Sequence, residues 1–402
     1  MLMLTAETRI PIPRNCLSHI SGVHKLMNKF VTTAVGLMAV GSINSADPSD
    51  NEWLGLDSEI KSISSSIADN DNGIGMAALL RFNYAYATDE VSTGAAPSYG
   101  EDISGFRFDD IDLAFWTNIG DYIMRVSVDL AGLSGNRSDG ALLQDAYAAW
   151  SCPEDLDVMA GRMNPTFLHD GNVTPDQLFF MDRTAIGSAL YHYDEGVQLG
   201  GSVEDISWSF GLFNGSGATH GPEESDHTYF LRGEYDLGEG DGGHEGPHEK
   251  AAGTNLTAGI GISVDNTVNG DQMNIGLDVH GNHDRFGFDF TYLMIDDDSA
   301  LATDPNTGVL FNALGFGNLP DAGNSDPYAL AVTYSINPEW SVGVRHEDMD
   351  NEAGNTLLTV GANYYGAGQG ARWSANFTDV SADGTNPDGS YFQIGYVIGF
   401  SE

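Results

Sequence analysis

The stretch Tyr391-Phe392-Gln393-Ile394-Gly395-Tyr396-Val397-Ile398-Gly399-Phe400 alternates between two kinds of side chain. Every second residue, from Phe392 to Phe400, is apolar or aromatic, and the residues between them are small or polar apart from Val397. Successive side chains of a β-strand point to opposite faces. One face of this segment is therefore hydrophobic and the other is suited to water.

Segments of this kind recur about sixteen times between residues 74 and 400, and no helical period separates them. The pattern predicts an all-β chain folded as a sixteen-stranded antiparallel transmembrane β-barrel, with its apolar face towards lipid and its polar face towards a wet interior. The predicted strands cover residues 74–88, 105–118, 121–132, 143–152, 156–163, 194–203, 206–215, 227–237, 254–266, 271–282, 284–295, 326–336, 339–349, 355–366, 370–381 and 388–400.

The composition agrees with a barrel. Glycine accounts for 50 of the 402 residues and aromatic residues for 10%. No run of 18 or more apolar residues occurs, which excludes a helical membrane protein. A secreted acidic β-sandwich that acts as a binding module is the alternative from another class, and an adhesive or purely structural barrel is a further one.

The first 46 residues have the features of an export signal. A short basic start at Met27-Asn28-Lys29 precedes an apolar stretch at 30–40, and small residues follow up to Ala46. This order predicts a cleaved secretory signal that begins at Met27, with residues 1–26 as a mis-extended start.

Residues 47–72 are expected to form a polar periplasmic segment with a short helix, ahead of a barrel that occupies residues 73–402. Apolar residues recur there at helical spacing, namely Trp53, Leu56, Ile60, Ile63 and Ile67. Two interpretations stay open: a single amphipathic helix packed under the barrel, or a short coiled coil that helps to join three barrels.

The formal net charge is −42. Removing residues 1–46, which contain four basic residues and one acid, leaves −45. Such a charge excludes nucleic acid as a partner. It is consistent either with a pore that attracts cations or with adaptation to salty water, where screening tolerates self-repulsion.

The links between predicted strands alternate between short and long, as a barrel with tight periplasmic turns requires. Residues 238–253 break this rule, since a long acidic link stands where a short turn is expected. Either the strand register slips here or the turn carries an insertion. The His and Glu residues of this link offer metal ligands, but a flexible linker explains the same composition because the spacing matches no rigid site.

The middle of the chain resembles the phosphate-selective porin (O and P) family. The motifs that carry the resemblance lie between residues 143 and 215: Leu143-Gln144-Asp145-Ala146-Tyr147, Ala160-Gly161-Arg162-Met163-Asn164-Pro165, Phe179-Phe180-Met181-Asp182-Arg183-Thr184, Glu195-Gly196-Val197 and Gly211-Leu212-Phe213-Asn214-Gly215. The resemblance implies a trimeric outer-membrane channel of sixteen strands.

The resemblance also implies that the link between strands five and six, residues 164–193, folds into the barrel as a constriction loop. The apolar residues of this link, among them Phe167, Leu168 and Phe179, favour packing against the inner wall over exposure to solvent. In that family, anion preference rests on arginines together with a cluster of pore lysines. After residue 46 this chain keeps only Lys61 and Lys250, which favours a weak preference for cations over phosphate selectivity.

Strand parity and the constriction link together predict a set of charged residues that line the pore. Opposed charges in a narrow pore set its preference for one sign of ion. The alternative is that these residues form ion pairs that stiffen the wall. The set comprises Arg81, Arg107, Asp112, Arg125, Asp129, Asp145, Arg162, Asp182, Arg183, Arg232, Glu234 and Arg345.

An enzymatic function is not expected. His280 is predicted to face inward near Asp278 and Asn274, but no serine of that strand joins them, so the Ser-His-Asp arrangement is incomplete. The sequence therefore predicts a porin of the cell outer membrane that needs no cofactor or metal. Its expected partners are the lipid bilayer, two further copies in a homotrimer, and small ions and solutes. Phosphate or anion selectivity is the alternative function.

Overall fold

The computed structural model describes residues 74–87, 103–134, 141–152, 156–215, 227–238, 253–265, 272–297, 325–350, 354–366, 371–381 and 389–401. The predicted signal, the polar segment at 47–72 and most of the long acidic link lie outside these residues.

Sixteen antiparallel strands close on themselves in chain order, and the last strand pairs with the first. Their bounds agree with the predicted bounds to within three residues. The strands are β1 (Ile74–Ala87), β2 (Ile103–Ile119), β3 (Tyr122–Asp129), β4 (Leu142–Cys152), β5 (Leu156–Met163), β6 (Asp194–Val203), β7 (Ile206–Phe213), β8 (Thr228–Gly238), β9 (Thr254–Asp265), β10 (Gln272–His283), β11 (Phe286–Asp297), β12 (Tyr328–Asn337), β13 (Trp340–Asp348), β14 (Thr356–Tyr365), β15 (Ala371–Ser381) and β16 (Gly389–Ser401).

The helices are short: a 3-10 turn at Ala131–Ser134, α1 at His169–Asn172 and α2 at Ala185–Leu190. Within the described ranges, no helix is long and apolar enough to cross a membrane. The 3-10 turn explains why β3 ends earlier than predicted. A carboxylate oxygen of Asp129 accepts a hydrogen bond from the backbone N–H of Ala131 at 2.7 Å, which turns the chain away from the sheet.

Two irregularities predicted from the sequence are resolved by the strand register. The alternation of apolar residues switches parity between Phe108 and Ile111, which predicts a bulge at Asp109-Asp110. Arg81 opposes Asp110 while Phe82 opposes Phe108, so β2 has one extra residue and this bulge is confirmed. At the long acidic link, β8 pairs with β9 in unbroken order, with Gly238 opposite Asn255. A slip of register at this point is therefore wrong, and the link is an insertion between neighbouring strands.

The outer face of the barrel is apolar. Trp208, Phe210 and Leu212 of β7 are exposed, as are Phe286 and Phe288 of β11. A soluble protein does not tolerate such a continuous apolar surface, whereas a closed barrel in lipid requires it. The closed sheet also rules out the β-sandwich alternative.

The inner face is polar, with glycines spaced along it. Val397, the apolar exception in the last strand, faces inward and is 1% exposed. It stands opposite Arg81 of β1 and Arg372 of β15 in the register. This valine thus lies between two buried arginines of the inner wall.

Candidate functional site

The link between β5 and β6, residues 164–193, lies against the inner face of the barrel. Its residues Leu168, Phe179, Phe180 and Met181 are almost completely buried. Side chains of β1, β8, β13, β14 and β15 donate hydrogen bonds to its backbone. The apolar side chains of the link therefore pack inside the barrel and not in surface solvent.

Short-range hydrogen bonds give the link its own shape. The Asn164 amide donates to the carbonyl of Gly171 at 2.6 Å, and the Asn172 amide donates to the carbonyl of Leu168 at 2.8 Å. Thr184 caps α2 by accepting from the backbone N–H of Gly187 at 2.8 Å. These contacts satisfy polar backbone groups that would otherwise be buried without partners.

Glycines of the inner wall make room for the apolar residues of the link. A Cβ atom at Gly261 of β9 would lie 2.5 Å from the carbonyl oxygen of Phe167, and one at Gly343 of β13 would lie 2.6 Å from the ring of Phe179. Leu168 covers Gly276 of β10 in the same way, and Phe180 covers Gly361 of β14. Four link residues thus fit four places where the wall has no side chain.

Wall arginines bind the carbonyl groups of the link. Arg232 of β8 donates to the carbonyl of Phe167 at 3.0 Å. Arg345 of β13 donates to the carbonyls of Asp182 at 2.9 Å and Arg183 at 3.2 Å. Its ion-pair partner Glu347, 2.8 Å away, accepts the backbone N–H of Ala185 at 2.6 Å. A planar guanidinium with five donors suits a chain segment whose carbonyls lack regular partners.

Two further arginines act in the same way from the other side. Arg372 of β15 donates to the carbonyls of Asp176 and Leu178, and Arg81 of β1 donates to the carbonyl of Met181. Arg81 is also ion-paired with Asp110. The link is therefore attached to the wall from β8 round to β1.

This arrangement separates the predicted pore-lining arginines into two groups. Arg81, Arg232 and Arg345 are buried and bind the link. These three arginines therefore make structural contacts within the barrel and do not line an open pore. The side chains of Arg107 and Arg125 are 31% and 35% exposed. Among the predicted acids, Asp182 and Glu234 have side chains that are 37% and 33% exposed.

The exposed group has its own contacts. Arg107 is 2.8 Å from a carboxylate oxygen of Asp109, and its guanidinium comes within 3.8 Å of Asp182. Arg125 donates to Asp145 at 2.8 Å. Arg183 of the link, in contrast, is buried and lies over the ring of Tyr191 at 3.8 Å, a cation–π contact.

Three predicted or neighbouring acids lie together at β2 and β3. Carboxylate oxygens of Asp110, Asp112 and Asp129 are all within 4.8 Å of one another. Asp110 is paired with Arg81, Asp129 accepts two backbone N–H groups, and Asp112 accepts from Gln144 at 3.2 Å. Each of the three carboxylates therefore already has a partner within the protein, and we assign no metal ion to them.

Arg162 differs from its predicted place. It stands opposite Ala146 of β4 and Glu195 of β6, on the same row as Ala160 and Val197, which face outward. It donates to Glu195 at 2.7 Å. Arg162 is the last residue but one of β5, its side chain is only 7% exposed, and its ion pair with Glu195 compensates its charge.

A cluster of titratable groups supports the start of the link. The rings of His169 and His280 are stacked with their centroids 3.4 Å apart. Burial, and next the adjacent His280, lower the pKa of His169 well below its ordinary value. The other charged or titratable groups around His169 are Asp278 of β10, Asp289 of β11, Arg232 of β8 and Arg183 of the link.

This cluster lacks the arrangement of a hydrolase. Thr257 is the hydroxyl residue opposite His280 in the register, and it donates to Asp236 at 2.5 Å. Asp278 is held by Arg232 through two hydrogen bonds of 2.7 and 2.9 Å. His280 also contacts Asp278, with its Nδ1 atom 3.4 Å from a carboxylate oxygen, but the hydroxyl of Thr257 donates to Asp236 instead of joining this pair.

A cavity of about 640 Å³ lies between the start of the link and the strands β5 to β8. Its walls combine polar and apolar surface, and it extends towards the short turns that join β4 to β5 and β6 to β7. The residues that line it include Asp157, Met159, Thr166, His169, Asn172, Gln198, Ser202, Ser207, Ser209, Arg232 and Glu234.

Known structures share this architecture. The anion-selective porin from Comamonas acidovorans aligns with a TM-score of 0.56 at 12% identity, over 82% of this chain and 100% of that chain. The outer membrane channel DcaP of Acinetobacter baumannii aligns with a TM-score of 0.57 at 11% identity, over 82% and 97%. OmpT of Vibrio cholerae, in a trimer form folded in vitro, aligns with a TM-score of 0.51 at 13% identity, over 82% and 100%.

No protein-family model and no curated protein matches the sequence. At these identities the structural likeness establishes the fold. The chain is a transmembrane β-barrel with the porin fold, and its apolar outer face places it in an outer membrane. The resemblance to phosphate-selective porins stays a prediction.

Sequence reasoning missed three residues that hold the link: Arg372, Glu347 and Asn363, whose amide donates to the carbonyl of Phe179 at 2.8 Å. Arg372 alternates with the outward-facing Trp373 in β15, and Asn363 has the opposite parity to the outward-facing Leu358 in β14. Parity would therefore have placed both residues on the inner face. Their role was not accessible in this way, because parity does not show what a side chain meets inside the barrel.

Proposed function

We propose that this protein is a passive channel for small hydrophilic solutes and ions, with the link at 164–193 as its constriction. The proposal rests chiefly on one observation: the link is bound to one part of a polar inner wall, beside a cavity and charged side chains that remain open to solvent. A barrel filled only for rigidity would have no reason to keep such charges exposed inside it.

One contact between exposed charges of the link and the wall involves Arg107 and Asp182, whose charged groups are 3.8 Å apart. Arg125 with Asp145, and Glu234 beside the buried Arg232, line the lumen further round the wall. We propose that solutes pass these pairs and that the buried arginines Arg81 and Arg345 keep the link in place. The predicted pore residues thus divide between lining the lumen and holding the link, and Arg162, which stands on the outward-facing row, has neither role.

We further propose a weak preference for cations. The formal charge is −42, and the arginines most buried in the wall are neutralised by acids or use their donors on link carbonyls. A negative potential at the mouths attracts cations within a Debye length of about 8–10 Å at ordinary salt. Selectivity for anions or phosphate is the competing function, and the ratio of permeabilities separates the two.

Liposome swelling with neutral solutes of increasing size tests the channel function. Swelling that is fast for small sugars and declines with solute size supports a passive pore. Liposomes that contain folded protein and do not swell with any solute would contradict it. Heat-modifiable migration on detergent gels shows in the same preparation that the barrel is folded.

We also propose a homotrimer, exported by the signal that begins at Met27, with residues 47–72 on the periplasmic side. A trimer form of the structurally similar OmpT supports this assembly. Chemical cross-linking of outer membranes followed by gel electrophoresis tests it, since a ladder ending at three chains is expected and a single band at one chain would contradict it. The N-terminal sequence of the protein isolated from membranes tests the cleavage site at Ala46.

A further inference from the structure

The cavity beside β5 to β8 has a boundary made by two parts of the chain. Asp157 of β5 and Ser202 and Ser207 of β6 and β7 line it at the side of the short turns, and Thr166 and Asn172 of the link close it from above. Its volume of about 640 Å³ exceeds that of a single ion and falls within the usual range for sites that bind small molecules, about 300–1,000 Å³.

Arg232, the arginine that lines this cavity, has no N–H donor left for a ligand. Arg232 directs Nε and Nη2 to Glu234, at 3.0 and 2.7 Å, and Nη1 and Nη2 to Asp278, at 2.7 and 2.9 Å. Its remaining N–H on Nη1 goes to the carbonyl of Phe167 at 3.0 Å. A guanidinium has five N–H donors, and all five have partners in the protein. The arginine therefore does not make this an anion site.

Carboxylates outnumber the arginine. Asp278 and Glu234 both contact Arg232, and Asp157 adds a third carboxylate that is exposed to the cavity. The side chain of Glu234 is 33% exposed, and Arg232 contacts only its Oε1 atom. His169 adds no positive charge at neutral pH, since its pKa lies well below the ordinary value. The field in the cavity consequently favours a positive ligand.

Uncommitted hydrogen-bonding capacity is also present. Gln198 of β6 is 8% exposed, lines the cavity, and its Oε1 has no hydrogen-bond partner among the described residues. A buried amide oxygen without a partner calls for a donor, and rotation about the last side-chain bond turns either amide atom towards the cavity. Met159, which stands opposite Gln198 in the register of β5 and β6, offers an apolar surface for methylene groups.

From this geometry we propose that the cavity is a binding subsite for small organic ammonium ions, with Asp157 and Glu234 receiving the charge and Gln198 accepting a hydrogen bond. The proposal rests on the channel function. It names the class of solute that binds inside the channel during passage. A short diamine matches the combination of two carboxylates, an acceptor and an apolar surface.

Three probes of equal chain length and different charge test the subsite: 1,4-diaminobutane, 1,4-butanediol and butanedioate. Isothermal titration calorimetry on the folded protein in detergent at low salt measures their binding. We expect 1,4-diaminobutane to bind once per chain with a dissociation constant on the order of 1 mM, and we expect the other two to bind at least tenfold more weakly. Butanedioate binding as tightly as the diamine, or no binding of the diamine, would overturn the proposal.

Variants locate the binding. Asp157→Asn and Gln198→Leu should each weaken diamine binding about tenfold, which corresponds to one lost charge-assisted contact. Asp205→Asn removes the same charge from the adjacent β6–β7 turn without altering the cavity lining, and its binding constant should equal that of the parent. If Asp157→Asn and Asp205→Asn weaken diamine binding equally, the diamine responds only to the negative potential at the mouth of the channel, and the subsite proposal is overturned.

Single-channel currents in planar bilayers separate this proposal from the channel function. The diamine should cause short interruptions of the current in the parent and fewer in Asp157→Asn. Protein that conducts but does not bind the diamine disproves the subsite alone. Protein that binds the diamine in the calorimeter but does not conduct disproves the channel alone.

Discussion

Replacing Gly261 by alanine should weaken the attachment of the link to the wall. The new Cβ would stand 2.5 Å from the carbonyl oxygen of Phe167 and 2.9 Å from its ring. Ordinary contact begins at 3.4 Å, so the backbone of the link must move by roughly 1 Å, and overpacking of this kind costs about 1–3 kcal/mol. The same movement stretches the hydrogen bond from Arg232 to Phe167, now 3.0 Å, which adds about 1 kcal/mol.

Together these effects amount to about 2–4 kcal/mol, or roughly a 30- to 1,000-fold lower ratio of attached to detached link. Hydrogen exchange of peptides from 164–172, followed by mass spectrometry, should rise accordingly in Gly261→Ala. Gly399→Ala is the matched control, because its Cβ would also face the link but lies 3.7 Å from Asp176 and 3.5 Å from Leu79. Unchanged exchange in Gly261→Ala, or an equal rise in Gly399→Ala, would refute the packing described for the link.

Three further predictions concern the same link. Arg372→Met should raise hydrogen exchange near Leu178 and increase open-channel current noise, because it removes the donors to the link carbonyls at a cost of about 2–3 kcal/mol; Arg285→Met, at an exposed turn residue, should change neither. Burial lowers the pKa of His169, so the attached link binds fewer protons than the detached link. Attachment is therefore strongest above the ordinary pKa of about 6.5 and weakens as the pH falls below it; noise should rise between pH 7.5 and 5.5 in the parent but not in His169→Gln. Asp182→Asn should lower the permeability ratio of K⁺ to Cl⁻ in bilayers, because it removes an exposed negative charge beside Arg107; an unchanged ratio would place the constriction elsewhere.

Strand number, order and nearly all bounds could be predicted from the sequence because the alternation has a single physical cause. Each outward residue meets lipid, so the apolar parity is enforced along the whole length of β11 and β16, for example. The bulge at Asp109-Asp110 was also predictable, since the parity of apolar residues reverses there. Bounds failed where a side chain ended a strand, as Asp129 does by accepting from the backbone of Ala131.

The roles of the inner residues were less accessible. Parity assigns a face but neither a depth nor a partner, so Arg81 and Arg107 look alike in the sequence although one is buried against the link and the other is exposed. The glycine contacts depend on distant parts of the chain: Gly261 and Gly343 are visible as inner glycines, but their fit to Phe167 and Phe179 requires the folded link.

Arg162 shows a different error. Arg162 has the same parity in β5 as Val158 and Ala160, so alternation alone gives it an outward position. An inner position was predicted because a charge on the lipid face is costly in the middle of the bilayer. The structure pairs it with Glu195 beside the end of the strand. The cost of a charge falls towards zero near the membrane interface, so a charge near the end of a strand is a weaker indication of an inner position than a charge at its middle.

The zero-current potential across a planar bilayer under a KCl gradient tests the central proposal most directly. We expect open channels whose dilute side becomes positive by a few millivolts at low salt, with the potential declining as total salt rises, because screening shortens the range of the acidic mouths. A dilute side that becomes strongly negative, or current blocked by micromolar phosphate, would contradict a weakly cation-preferring porin. Either result would support selectivity for anions or phosphate instead. No conductance from correctly folded barrels would contradict the channel itself.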